Sequence, residues 1–138
     1  VGAVSIPALN LTFATCNDFL QPRRPTEHEK VRIAVSRSRP PVEASLVAEK
    51  IDGELIEMGS AGAKAMAVVR GIADVYIHSG GQYEWDNCAP AAVAFAAGLH
   101  VSRLDGSLLK YNNPDPWLPD LLICNPVLAT PVLEVLNS

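Results

Sequence analysis

Nowhere does this chain run apolar for the roughly 18 residues that a membrane-spanning helix requires, although 49% of its 138 residues are hydrophobic. It has no excess of basic charge either. The formal net charge is −4, so composition gives no reason to expect a nucleic-acid polymer as partner. Cysteine is scarce: Cys16, Cys88 and Cys124 form no CxxC or Cys/His pair. That excludes the usual zinc spacings and a disulfide framework, and leaves reduced, partly buried thiols. A charged fraction of 19% argues against disorder. The length suits one hydrophobic core and is too short for two full domains. The expectation is one soluble, cytoplasmic domain.

Residues 2–7 and 11–15 are short, apolar and β-branched around Ala8-Leu9-Asn10, and read as a hairpin. No charged n-region precedes them, so they are not a signal peptide. A chain that opens inside a strand reads as a fragment. Residues 17–30, with Pro22, Arg23, Arg24 and Pro25, read as a surface loop. From Val31 strands and helices alternate. Val31 to Ser36 is a strand, and Pro40-Pro41 opens a helix carrying Val42, Leu46, Val47 and Ile51 that Asp52-Gly53 ends. Leu55 to Met58 is a strand. Ser60 caps a helix over about 61–70, stopped by Gly71.

Ala73 to His78 reads as a strand, Ser79-Gly80-Gly81 as a flexible turn, and 87–97 as an Ala-rich helix with Pro90 in its first turn. His100 to Arg103 begins another strand, and Asp105-Gly106 marks a tight turn. Tyr111 to Asp120 is a loop, Leu121 to Cys124 the last strand, and Pro126 to Leu136 the last helix. This order predicts a layered α/β sandwich with a mixed sheet.

Six residues are candidates for chemistry. Behind an N-cap at Ser60 the first-turn N–H groups are free beside the positive end of the helix dipole. Lys64 leans back toward that end. With Ala61, Gly62 and Ala63 all small, this suits a phosphate; the alternative is an ordinary capped helix with a solvated lysine. Asp86 opens a helix, as an N-cap or as a magnesium ligand, and a magnesium site needs several convergent carboxylates. The other acids, Asp52, Glu54, Asp74, Glu84 and Asp105, show no paired spacing. Arg37 and Arg39, between a strand and a helix, could meet a phosphate bidentately or lie in solvent. His78, at a strand end, is a substrate contact or simply structural.

Taken together, Gly59-Ser60…Lys64…Gly71, Ala73-Asp74-Val75-Tyr76, Trp85-Asp86-x-x-Ala89 and Ala97-Gly98 followed by Asp105-Gly106…Leu109…Tyr111-Asn112 resemble a known family. They are similar to the carboxyl-terminal half of a phosphatase of the inositol monophosphatase superfamily, with closest resemblance to the 3'(2'),5'-bisphosphate nucleotidase (CysQ-type) branch. The resemblance implies that fold, Mg2+ as cofactor, Asp86 as metal ligand, and Ser60, Lys64, Arg39 and His78 as substrate-binding residues. It implies hydrolysis of the 3'-phosphate of adenosine 3',5'-bisphosphate to AMP, a role in sulfur assimilation and sensitivity to lithium. It leaves a homodimer open and assigns no catalytic residue within this chain. The family's upstream Glu-Glu and Asp-Pro-(Ile/Leu)-Asp-Gly-Thr motifs are not among these residues, and Ala96-Ala97-Gly98-Leu99 stands where a Gly pair is usual. The chain alone is therefore expected to be inactive and to expose an apolar face toward the missing amino-terminal half. Two alternatives stand beside this: inositol monophosphatase or fructose-1,6-bisphosphatase activity on the same fold, and a non-catalytic nucleotide-binding module.

Overall fold

A computed structural model describes all residues, Val1–Ser138. Strands β1 (Ala3–Ile6) and β2 (Leu11–Ala14) pair antiparallel around a single 3-10 turn at Pro7–Leu9. Then follow β3 (Val31–Ser36), α1 (Val42–Lys50), β4 (Gly53–Met58), α2 (Ala61–Val69), β5 (Val75–Tyr83), α3 (Glu84–Ala96), β6 (His100–Ser102), β7 (Trp117–Cys124) and α4 (Pro126–Leu136). The main sheet has five strands in the order β4-β3-β5-β7-β6. Its first three strands run parallel, while β7 runs antiparallel to both β5 and β6. The layered α/β sandwich with a mixed sheet is what the alternating pattern predicts.

The period-two alternation of a strand sorts buried residues to opposite faces. Ala34, Tyr76, Leu121 and Ile123 point to one side and pack with Ala65, Met66, Val68 and Val93 of α2 and α3. Ile33, Val35, Val75, Ile77, Leu122 and Cys124 point to the other and pack with Ala44, Val47 and Val132 of α1 and α4. The hairpin lies on the outer side of α2 and α3, with Val4, Ile6 and Phe13 against that first cluster. Gly2 approaches so closely that a Cβ there would stand 3.3 Å from the Ala89 backbone. Cys124 is buried and its thiol pKa is pushed up to about 12 by desolvation; Cys16 and Cys88 are free and exposed.

Four local expectations change. The residues read as a turn at Ser79-Gly80-Gly81 lie inside β5, as a bulge in its pairing with β7 between Ser79 and Gln82. Gly80 and Gly81 absorb the distortion at φ of 90° and 92°, values that L side chains rarely adopt. Past the bulge the ladder resumes through Gln82↔Leu118 and Tyr83↔Trp117. Hence β7 begins at Trp117, inside the segment read as a loop. Pro119 is tolerated because β6 pairs only with Leu122, Ile123 and Cys124, leaving one side of β7 open at that point.

Helix α3 begins at Glu84, so Asp86 is its third residue, not its N-cap. Pro90 therefore falls in the helix interior, where its missing N–H leaves the Asp86 carbonyl without its i+4 donor.

Candidate active-site cleft

Strands β3 and β5 are neighbours, but the chain leaves their carboxyl ends toward opposite faces of the sheet. The turn after β3 leads to α1, in the cluster with α4; β5 leads to α3, in the cluster with α2. Such a parting of connections opens a crevice at the strand ends, the usual ligand position in open α/β sheets. A cleft of about 370 Å³ lies between the carboxyl end of β3 and the bulge of β5, walled by Ser36, Arg39, Glu43, His78, Ser79 and Gly81 together with Pro40, Pro41, Val42 and Gly80.

Two of the six sequence-predicted residues, Arg39 and His78, line this cleft. Ser36 Oγ accepts the Arg39 backbone N–H at 3.3 Å, shaping the turn, and the guanidinium forms no ion pair. His78 Nε2 lies 2.9 Å from the carbonyl of Gly81. A carbonyl only accepts, so Nε2 carries the proton. The His78 pKa lies below the ordinary imidazole value, first through burial and further through the positive charges of Lys64 and Arg39; the Gly81 carbonyl and the Asp86 carboxylate oppose this without reversing it. The imidazole is therefore neutral near pH 7 and adds no positive charge.

Ser60 and Lys64 hold the start of α2. Ser60 Oγ accepts the Ala63 N–H at 3.2 Å, the N-cap that the sequence predicts. Lys64 does not project freely. It is only 4% exposed, with Nζ 3.5 Å from the Met58 carbonyl and 5.5 Å from the centroid of Tyr76. Burial lowers its pKa, because a low-dielectric setting disfavours the ammonium. The Tyr76 ring meets His78 edge-on with centroids 6.4 Å apart, so Lys64, Tyr76 and His78 form one packed row beneath the cleft.

Asp86 Oδ2 accepts the Tyr83 N–H at 2.9 Å, closing the first turn of α3, and Oδ1 makes no hydrogen bond. Most other acids are engaged elsewhere. Asp74 receives Arg32 and Asp120 receives Arg103. Glu84 takes the N–H groups of Asn112 and Asn113, and Asp105 takes Ser107. No three His, Cys, Asp or Glu side chains converge. By themselves these residues do not fit a magnesium site.

Sequence reading missed two features. One is Glu43, whose Oε2 accepts the Ser79 hydroxyl at 2.9 Å and places a carboxylate in the same cleft as Arg39. Its only sequence signal is an acid in the first turn of α1, which the dipole alone would explain. The other is a polar chain under the site. Tyr111 donates to Asn87 Oδ1 at 2.8 Å, Asn87 Nδ2 to Gln82 Oε1 at 3.0 Å, and Gln82 Nε2 to the Tyr76 hydroxyl at 2.9 Å. Tyr111 is a motif position and Asn87 an open position within another motif, but nothing in their spacing announces contact.

Known proteins resemble this chain over most of its length. The model of the inositol monophosphatase family matches residues 8–136. A Mycobacterium leprae protein named 3'-phosphoadenosine 5'-phosphate phosphatase is 54% identical over 108 residues, covering 78% of this chain and 40% of that protein. A human 3'(2'),5'-bisphosphate nucleotidase is 32% identical over 59 residues, 42% of this chain and 19% of the human protein. The chain thus spans two fifths or less of these relatives' length.

Among solved structures, CysQ from Bacteroides thetaiotaomicron superposes with a TM-score of 0.60 at 29% identity, covering 74% of this chain and 40% of that one. An inositol monophosphatase from Thermotoga maritima gives a TM-score of 0.69 at 19% identity over 95% of this chain and 53% of that one; at that identity it speaks for the fold alone. With the family pattern matched along almost its whole length, the chain belongs to the inositol monophosphatase family.

Proposed function

We propose that this chain is the carboxyl-terminal part of a magnesium-dependent phosphomonoester hydrolase that converts adenosine 3',5'-bisphosphate and water to AMP and phosphate. The observation that carries this reading is the 54% identity over 108 residues to the mycobacterial protein named for that activity. The cleft supports it, being of nucleotide size and placed where parallel strands present ligands.

In this proposal Ser60 and the start of α2 face one phosphate, and Lys64 supplies positive potential from beneath. Arg39 answers the second anion of a doubly phosphorylated substrate. Asp86 offers its open oxygen to a magnesium ion, whose other ligands come from residues outside this chain. The ion, when bound, supplies charge stabilisation at the phosphoryl group. Cytoplasmic location, lithium inhibition and a homodimer belong to the same proposal. The 138 residues alone are inactive in it, a view supported by the lack of converging ligands around Asp86.

The test is phosphate release from adenosine 3',5'-bisphosphate with magnesium, by this chain and by a version extended upstream through the acidic motifs. Release by the extended form only is the expected result. Release from inositol 1-phosphate or fructose 1,6-bisphosphate but not from the nucleotide would replace the substrate. Nucleotide binding without release by either form would favour a binding module.

A further inference from the structure

We infer that the cleft between the end of β3 and the bulge of β5 reads the 6-amino group of the purine, with Glu43 and His78 as specificity-determining acceptors that admit a 6-aminopurine and reject a 6-oxopurine. The inference rests on the nucleotidase reading and extends it to residues that reading does not use.

The cleft is poorly built for a phosphate alone. Its one cation, Arg39, shares the space with the carboxylate of Glu43. Pro40, Pro41 and Val42 form an apolar side to it, with Val42 82% exposed, a surface suited to a flat base and not to a charged group. What the remaining polar atoms offer is acceptance. Glu43 Oε2 is held by the Ser79 hydroxyl, and Oε1 has no partner. His78 commits Nε2–H to the Gly81 carbonyl. No buried side-chain nitrogen or oxygen in the protein is unsatisfied, so the unbonded Nδ1 is open to solvent, and it carries a lone pair.

A carboxylate oxygen and an imidazole lone pair both want a donor. The exocyclic amine of adenine offers two N–H donors; hypoxanthine puts an acceptor at that position and keeps only the neighbouring N1–H, so at least one of the two acceptors goes unpaired. An analogue that covers these atoms without offering a donor strips them of water and replaces nothing, the strongest route to its rejection. The bulge at Gly80-Gly81 has a definite part in this, because it brings the Gly81 carbonyl back onto His78 and fixes which nitrogen is the acceptor. Arg39 is left for the 5'-phosphate.

The experiment compares kcat/KM for adenosine 3',5'-bisphosphate and inosine 3',5'-bisphosphate, in whichever form of the enzyme releases phosphate from the former. The ribose and both phosphates are common to the pair, so only the base differs. The adenine substrate should be preferred by about tenfold or more, on the order of one lost charge-assisted hydrogen bond. Glu43→Ala and His78→Leu should each reduce that ratio, chiefly through KM for the adenine substrate. Equal wild-type values overturn the inference while leaving the nucleotidase reading intact, and so does an unchanged ratio in both variants. Hydrolysis of neither nucleotide overturns both. Should either variant fail to fold, the wild-type ratio still decides.

Discussion

The two ends of β3 treat an arginine in opposite ways. At the amino end Arg32 is fully engaged: Nε and Nη2 reach the two oxygens of Asp74 at 3.0 Å each, and Nη2 also donates to the Gly71 carbonyl. Asp74 is 2% exposed and also takes the Arg32 backbone N–H. At the carboxyl end Arg39 has no carboxylate partner, and the nearby Glu43 is turned to a serine. One end uses charge to clamp two parallel strands; the other keeps charge and lone pairs unspent where a ligand can meet them. A clamped charge and an uncommitted one thus lie beyond opposite sides of the core of one six-residue strand.

The sharpest break in that comparison is at the site end. In the magnesium-loaded extended enzyme, the proposed ligand role of Asp86 predicts that Asp86→Asn lowers phosphate release by about a thousandfold, because the charge stabilisation on which the chemistry depends is weakened. Asparagine still accepts the Tyr83 N–H, so the urea midpoint should move little. A midpoint collapse with residual specific activity intact would put Asp86 with the structural acids.

At the clamped end the pattern reverses. Asp74→Ala leaves Arg32 without its partner and should cost about 3–5 kcal/mol, the usual penalty for breaking a buried pair. Denaturant unfolding measures it, and the surviving folded fraction should keep its kcat. Lys64→Met retains the packing on Tyr76 but removes the charge. It should raise KM for the bisphosphate roughly 10- to 100-fold, the worth of one charged contact, and affect a monophosphate less.

The smallest effect is on pH dependence. The pKa values of His78 and His100 are both lowered in the fold, mainly by burial. The unfolded chain therefore binds more protons as the pH falls below the ordinary imidazole value of about 6.5. Stability should be full above that value and decline toward pH 5, before acids held low by hydrogen bonds, such as Glu84 and Asp105, begin to protonate. Urea midpoints at pH 7 and pH 5 check this; His78→Leu should flatten part of the slope.

What could be read from residues alone follows from how local each cause is. Ser60 and Gly71 bracket α2 because an N-cap and a left-handed stop act within a few residues. The strand cores at Ile33–Val35 and Val75–Ile77 declare themselves by runs of apolar residues, all of which are buried. The bulge in β5 was hidden because it is decided by register against β7, some 40 residues on. Helix α3 starts early for a related reason: Glu84 is held by Asn112 and Asn113, which sequence cannot place beside it. The individual site residues were legible as chemistry, and Arg39 and His78 as neighbours only through the sheet order. Glu43 was not legible, because it enters the cleft only when α1 and β5 meet.

The polar chain beneath the cleft carries one more consequence. Its three hydrogen bonds all point the same way, from Tyr111 through Asn87 and Gln82 to Tyr76. Each amide takes a proton on its oxygen and gives one from its nitrogen, so the dipoles align head to tail and reinforce one another. Neither amide can rotate by itself without setting oxygen against oxygen or N–H against N–H. The two amides therefore turn only together, and the loop at Tyr111, the first turn of α3 and the ring under Lys64 share one alignment without a single formal charge between them.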